Sequence, residues 1–173
     1  MSILRIHKYP HPVLREPCLP VATQTEAVTR LISDMVETMY ACPGAIGLAA
    51  CQVGIGLRIF VMDMNAKTTR DDLKVLINPV ILRQSRNRMV REGCLSFPEY
   101  LVNVKRAQRL TVQCLDEHFT PREYEVFNLE AVAVQHEIDH LDGILMIDRV
   151  RTLSTDLIRR QPASNESADD PAS

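Results

Sequence analysis

The sequence lacks an excess of charge of either sign and lacks any long apolar run. Its formal net charge is −2 at pH 7, with 20 Lys and Arg against 22 Asp and Glu. A surface that neutralises nucleic-acid phosphates needs a strong cationic excess, which this composition does not supply. No apolar run approaches the roughly 18 residues of a membrane-spanning helix. We therefore expect no sequence-specific nucleic-acid partner and no membrane.

The cysteines lack a disulfide pattern, and the N-terminus lacks a targeting pattern. Five cysteines are present, an odd number, and no two form a C-x-x-C pair. Disulfide frameworks need paired cysteines in an oxidising compartment, so these thiols indicate a reducing one. Residues 1–12 show neither an apolar core nor an arginine-rich amphipathic pattern. The expected location is the cytoplasm.

What is present is the pattern of one α+β domain. Apolar residues at helical spacing predict a first helix over residues 26–40. Several β-branched segments between residues 58 and 126 predict antiparallel strands. A second helix is predicted from Asn128 as N-cap to Gly143 as terminator. The fold class is therefore α+β, with antiparallel β-sheets around a C-terminal motif helix.

The composition changes near residue 160. Residues 1–160 are expected to form a single catalytic domain, since one domain is the prior for a chain of 173 residues. Residues 161–173 are polar and rich in Ser, Asp and Pro, so we expect a disordered tail.

The second predicted helix carries a His-Glu-x-x-His motif. His136 and His140 are four residues apart, so on a helix they project from one face and can share one metal ion. Glu137 lies beside the first histidine, where it can act as general base on a water molecule. A helix merely decorated with polar side chains is the plainer alternative. It fits poorly because the face is otherwise apolar, and buried imidazoles need partners.

The third metal ligand is predicted upstream of the helix. A catalytic site of this kind usually has three protein ligands and one open position. Downstream, the place of a third histidine is taken by Met146, and the one later glutamate, Glu166, lies in the predicted tail. Cys94 follows Gly93 in a turn-like segment, and its thiolate would complete a Cys-His-His site. The remaining cysteines are interpreted as buried core residues, namely Cys18, Cys42, Cys51 and Cys114.

Three motifs in order resemble the peptide deformylase family. They are Ala-Ile-Gly-Leu-Ala-Ala-Cys-Gln at 45–52, Glu-Gly-Cys-Leu-Ser at 92–96 and Gln-His-Glu-Ile-Asp-His-Leu at 135–141. The family patterns to which they are similar are G-Φ-G-Φ-A-A-x-Q, E-G-C-[LI]-S and Q-H-E-[ILM]-D-H-L. The resemblance covers about residues 3–150.

Two positions depart from the family pattern. Ala45 stands where the first motif begins with Gly, although Gly44 precedes it, which implies a one-residue shift in the loop entering the site. Leu101 stands where some relatives carry a basic residue. This second departure implies a different side-chain preference beyond the first substrate residue.

The resemblance implies a metal-dependent hydrolase of protein biosynthesis, which removes the N-terminal formyl group from formyl-methionyl nascent polypeptides and releases formate. Cys94, His136 and His140 would hold one divalent metal ion. Mixed nitrogen and sulfur ligation suits iron or zinc. The family implies Fe²⁺ in the cell, with Zn²⁺, Ni²⁺ or Co²⁺ as alternatives.

The resemblance also implies the remaining roles. Glu137 would act as general base, while the Gln52 amide and the Leu95 backbone N–H would stabilise the oxyanion. Glu92 is expected to pair with an arginine, and Asp139 to orient one of the histidines.

A formyl group is very small, so we expect the methionine side chain to supply the specificity. The substrate-binding residues are expected to be Ile46, Gly47, Val90, Leu129, Val132 and Ala133. Apart from Gly47, these would line an apolar pocket for the methionine side chain. The peptide would pair as an added strand beside Ile46 and Gly47. The expected partners are N-formylmethionyl peptides and nascent chains, with a transient ribosome contact for which no basic patch is evident in the sequence.

Three alternatives stay open from the sequence. One is an endopeptidase with the same His-Glu-x-x-His motif. Another is a structural zinc site or binding module, which would need a fourth protein ligand. The last is a deformylase-like enzyme that acts on another N-acyl group.

Overall fold

A computed structural model describes residues 2–160; the predicted tail at 161–173 lies outside the described residues. The helices are α1 (Glu26–Ala41), α2 (Asn128–Leu141) and the single turn α3 (Leu153–Asp156). The strands are β1 (Gly47–Ala49), β2 (Ile59–Asp63), β3 (Leu73–Cys94), β4 (Phe97–Leu115), β5 (Pro121–Phe127) and β6 (Leu157–Arg159). The predicted α+β class with antiparallel strands is confirmed.

The strands form one antiparallel sheet in the order β1-β2-β3-β4-β5, and β6 pairs with β4. Short strands expected separately between residues 73 and 115 are joined into the two long strands β3 and β4. The register shifts near Pro79 and between Ile81 and Arg83, where bulges allow a long strand to bend. The β3–β4 hairpin turns at Leu95 and Ser96, directly after Cys94.

Helix α1 packs against the sheet through one apolar face, as its spacing predicted. Thr25 caps it, because its hydroxyl accepts a hydrogen bond from the Val28 N–H at 3.2 Å. Its buried apolar side chains, Val28, Ile32, Met35 and Met39, pack with those of β1 and β2. The helix ends at Ala41, before Pro43 and Gly44.

Helix α2 lies at the centre of the domain. It contacts β1, β2, β4 and β5, and nearly all of its residues from Ala131 to Leu141 are buried. The helix starts at Asn128, which has φ 51°, and Phe127 holds the N-cap position. The predicted cap is therefore wrong by one residue. No helix in the described part of the chain is long and apolar enough to cross a bilayer.

Gly143 ends α2, as predicted, and lets the chain pass close to the N-terminal arm, which is the segment 2–25 before α1. Its φ is +72°, which L side chains rarely adopt. A Cβ at this position would lie 2.5 Å from the carbonyl oxygen of Arg15. Both constraints favour glycine, and both act directly behind the helix that carries the two histidines.

We expect Gly143→Ala to lower the free energy of unfolding by about 1–3 kcal/mol, because it combines left-handed backbone strain with a clash against main chain. Urea denaturation of metal-matched samples measures this. Gly56→Ala is the control, since nothing lies within 4 Å of a Cβ there and its φ is not positive. That variant should change stability by less than about 1 kcal/mol. Equal midpoints for the two variants would contradict the expectation.

Candidate active site

The three predicted metal ligands come together where the end of β3 meets α2. Cys94 is the last residue of β3, and His136 and His140 occupy one face of α2. One ligand atom from each lies within 4.8 Å of the others. The Cys94 Sγ and the His140 Nε2 are 3.1 Å apart. Helical spacing alone places the two histidines side by side. The packing of β3 against α2 brings the Cys94 thiol next to them.

The donor set fits a single metal ion with an open position. Within residues 2–160 no fourth Cys, His, Asp or Glu joins this group. A closed structural zinc site needs four protein ligands, so the arrangement matches a catalytic site. Glu137 Oε2 and His140 Nδ1 are buried atoms without a hydrogen-bond partner among the described residues. Buried polar atoms need partners, so the Glu137 oxygen calls for a bound water molecule or ion.

Charges around the site favour the thiolate. Burial alone would raise the pKa of the Cys94 thiol, but His140 and His136 hold it well below its usual value. Burial would likewise lower the pKa of His136, but Cys94 and Glu92 raise it well above its usual value. Both shifts favour a thiolate beside a protonated imidazole when no metal is bound. Metal binding would release that proton, because the ligand is the neutral ring.

Behind the ligands lies a buried network of ion pairs. Glu92 accepts a hydrogen bond from His136 Nδ1 at 2.9 Å, which leaves Nε2 of that ring for a metal. Arg106 donates to Glu92 at 2.7 and 3.1 Å and to Asp139 at 2.6 Å. Arg149 also donates to Asp139, at 2.5 and 3.0 Å. Burial opposes ionisation of Glu92, yet His136 and Arg106 lower its pKa to about 2.

The network bears on two expectations from the sequence. Glu92 pairs with an arginine as expected, and it also orients His136. Asp139 does not orient a histidine: its carboxylate is engaged by Arg106 and Arg149. Sequence reasoning missed Arg106, although one signal was present. An arginine follows the apolar alternation of Val102 and Val104 on β4, where a buried residue is due.

Gln52 is oriented toward the ligands by its own loop. It lies in a 3₁₀ turn, Ala50–Val53, directly after β1. Its Oε1 accepts a hydrogen bond from the Ala49 N–H at 2.9 Å, so its amide nitrogen points the other way. That nitrogen is 3.1 Å from Ser96 Oγ and 3.6 Å from Cys94 Sγ. A solvent-facing loop amide, the plainer interpretation, is excluded because Gln52 is only 2% exposed.

The N-terminal arm holds both segments that flank the site. The His7 N–H donates to the Gln52 carbonyl at 2.7 Å, and the Tyr9 N–H donates to the Ser96 carbonyl at 2.8 Å. The arm therefore connects the Gln52 turn to the hairpin turn at Leu95 and Ser96. Prolines at positions 10, 12, 17 and 20 favour an extended segment, but nothing in the sequence indicates this attachment.

Gly47 and Gly44 explain the loop that enters the site. A Cβ at Gly47 would lie 2.5 Å from Glu137 Oε1, so the carboxylate occupies the space that a side chain would need. Burial raises the pKa of Glu137. Gly44 takes the positive φ of the loop, +83°, while Ala45 is buried in the core. Ala45 therefore fits, because the position that needs glycine is Gly44.

A cleft of about 480 Å³ opens onto the ligands. Its walls include five predicted substrate-binding residues, namely Ile46, Gly47, Leu129, Val132 and Ala133. They also include the predicted catalytic residues Gln52, Leu95 and Glu137. Val90 does not line the cleft: it packs behind it with Val104 and Met146. Met146, which takes the place of a third histidine in one protease class, is a buried core residue here.

Three metal ligands with an open position, beside a buried carboxylate and an oriented amide, define a mononuclear metal-dependent hydrolase. The model of the polypeptide deformylase family matches residues 3–156. The chain belongs to the polypeptide deformylase family.

Individual relatives agree with the family match. A peptide deformylase of Alkalilimnicola ehrlichii is 48% identical over 161 residues, which are 93% of this chain and 89% of that protein. A peptide deformylase of Syntrophobacter fumaroxidans is 44% identical, covering 93% and 94%. The crystal structure of a peptide deformylase from Legionella pneumophila superposes with a TM-score of 0.84 at 38% identity, covering 88% of each chain.

We expect Arg106→Gln to lower the free energy of unfolding by about 3–5 kcal/mol, because Glu92 would lose its principal cation while staying buried. Arg109→Gln, on the same strand, is the matched control. The side chain of Arg106 is 4% exposed, whereas Arg109 pairs with Glu125 at 49% exposure. The control should cost less than about 1 kcal/mol. Chemical denaturation of both variants checks this; similar losses would show that the buried network is not a stabilising element.

Proposed function

We propose that the chain removes the N-terminal formyl group from formyl-methionyl nascent polypeptides, with Cys94, His136 and His140 as metal ligands. The observation that carries this assignment is the three-ligand group with an open position at the base of the cleft. Membership of the polypeptide deformylase family supports the same substrate. Formate and a peptide with a free amino terminus are the products.

Glu137 is the proposed general base. When bound, the metal would act as a Lewis acid that lowers the pKa of a water molecule toward neutrality. Glu137 Oε2 has no protein partner among the described residues and is free to accept the proton of the attacking water. It then donates this proton to the amine that leaves when the C–N bond breaks. Its buried position and raised pKa suit a group that must both accept and return a proton.

Gln52 and Leu95 are the proposed donors to the oxyanion. The formyl oxygen becomes negatively charged when water adds to its carbon, and donors fixed in advance stabilise that charge. The Gln52 amide nitrogen is already held toward Cys94 by the contact of its oxygen with the Ala49 N–H. Leu95 follows Cys94 at the hairpin turn, so its N–H would lie next to the ligand.

The methionine side chain is proposed to enter the apolar part of the cleft. Ile46, Val132 and Ala133 form its walls, and Leu129 lies at its opening, where it is 60% exposed. Val90 supports this wall from behind. The peptide backbone would extend beside Ile46 and Gly47 as an added strand.

We also propose a metal, a cellular location and a transient contact with the ribosome. Thiolate and imidazole ligands suit Fe²⁺, proposed as the metal in the cell, and also Zn²⁺, Ni²⁺ or Co²⁺. All five cysteines are free thiols, which supports the cytoplasm as the location. For a transient ribosome contact, the exposed Arg83, Arg86 and Arg88 on β3 offer a cationic surface. Salt-dependent co-sedimentation with ribosomes tests this contact.

We expect Glu137→Gln to slow formate release from formyl-Met-Ala-Ser by at least about 10²-fold while retaining the metal, because only proton transfer is lost. Cys94→Ala should lose both metal and activity. The proteins are purified anaerobically with ferrous iron, and elemental analysis reports the bound metal beside the formate assay. An active Glu137→Gln variant would remove this residue from the mechanism. A folded, metal-loaded wild type that releases no formate would point to a different N-acyl substrate.

We expect Gln52→Leu to lower kcat by about 10²–10³-fold with a smaller change in KM, because the donor acts on charge that develops only in the transition state. Gln24→Leu is the control, since Gln24 is exposed and donates only to the Glu117 carbonyl on the far side of the domain. Steady-state formate release measures both variants. A change confined to KM would assign Gln52 to substrate binding.

A further inference from the structure

Three cationic side chains surround the mouth of the cleft. Lys67 lies over the Gly44 side, and Arg91 and Arg160 lie on the side of β3. None of the three forms an ion pair with another residue of the described chain. Among residues 2–160, the Arg91 side chain hydrogen-bonds only to the neutral Asn103, at 3.4 Å. The mouth therefore presents positive charge that no carboxylate among residues 2–160 neutralises.

Arg160 reaches the mouth because β6 carries the chain back across the end of β4. Tyr100 pairs with Arg159 and Leu101 with Ile158. The Arg160 N–H then donates to the Glu99 carbonyl at 2.8 Å. The backbone from Leu157 to the N–H of the arginine is thus attached to β4, the strand that follows the hairpin turn.

Gly93 makes room for this arginine. A Cβ at position 93 would overlap Arg160 Nη2, and it would lie 3.4 Å from Arg160 Cζ and 3.0 Å from Leu101 Cδ2. The φ of Gly93 is not positive, so backbone conformation does not require glycine here. A side chain at position 93 would instead displace the Arg160 guanidinium. Arg160 therefore lies against Gly93, the residue that precedes the proposed ligand Cys94.

The carboxylates of the cleft do not compensate these cations. Glu92 is engaged by Arg106 and His136, and Glu137 is buried at the base of the cleft. The neighbouring Arg159 is different, since it pairs with Glu99 at 3.7 Å. The uncompensated charge at the mouth would attract an anionic group on a molecule that enters the cleft.

We propose that Arg160, together with Lys67 and Arg91, is a specificity-determining residue that favours formyl-methionyl peptides with an acidic second or third residue. This inference rests on the proposed function. With the methionine side chain in the apolar pocket, each further residue of an extended peptide adds about 3.3 Å. The second and third residues therefore leave the pocket and pass the cationic mouth, where a carboxylate side chain would pair with the guanidinium.

The test compares C-terminally amidated peptides that differ by one charge. Formyl-Met-Glu-Ser-amide is compared with its Gln counterpart, and formyl-Met-Ala-Glu-amide with its Gln counterpart. In the wild type, kcat/KM should favour Glu over Gln by about two- to fivefold in one or both pairs, as exposed ion pairs allow. The preference should reside in KM and decline as salt increases.

Variants of Arg160 and Arg159 test whether Arg160 causes the preference for Glu over Gln. Arg160→Gln should bring the Glu-to-Gln ratio toward one, Arg160→Lys should retain most of it, and Arg159→Gln should leave it unchanged. A wild-type ratio of one in both pairs, or a ratio insensitive to Arg160→Gln, overturns the proposal. Failure of the proposed function looks different, since no formate would then be released even from the neutral peptides.

Discussion

The ion pairs of Arg106 with Glu92 and Asp139 are the interaction on which the site depends. They connect β3, β4 and α2 in the interior, where each unpaired charge would cost several kcal/mol. Glu92 Oε2 accepts hydrogen bonds from both Arg106 and His136, so the same network that joins the elements also orients a proposed metal ligand. A displacement of α2 along the β3–β4 hairpin would break the pair of Arg106 with Asp139. It would also separate Cys94 from His136 and His140.

Close packing around small residues is the second constraint. Gly47 approaches Glu137, Gly93 approaches Arg160, and Gly143 approaches the carbonyl of Arg15. At Gly47 and Gly93 a side chain lies where a Cβ would otherwise be, and at Gly143 a main-chain carbonyl lies there. The consequence for function is that the carboxylate proposed as general base is confined between α2 and β1. Such confinement favours preorganisation, because the group does not have to move when charge develops.

The arm before α1 shows how distant segments are held in register. Its main-chain hydrogen bonds to Gln52 and Ser96 join two turns that share no strand pairing with each other. The proposed oxyanion donors lie on these two turns. The distance between them therefore depends on an extended segment whose own side chains contribute little to the chemistry. Substitutions in the arm can thus affect the site without touching it.

The proposed metal ligands and the class of fold could be predicted from the sequence. Helical spacing places His136 and His140 on one face whatever the surroundings, and alternation indicates strands through local side-chain preference. The boundaries of the elements and the contacts of single residues could not be predicted in the same way. The short strands expected from the sequence are joined into β3 and β4, and the N-cap of α2 lies one residue earlier than predicted. Val90, predicted to line the substrate pocket, packs behind the cleft. Asp139 bonded to arginines instead of a histidine.

The sequence by itself determined the donor types, the motif order and the elements that carry them, because these follow from chemistry and from local periodicity. Only the tertiary structure decided which charges compensate one another and which do not. Arg106 is buried and paired, whereas Arg160 lies at the mouth of the cleft and has no ion-pair partner among the described residues. That difference depends on contacts between residues far apart in the chain, which the packing of α2 and the return of β6 create.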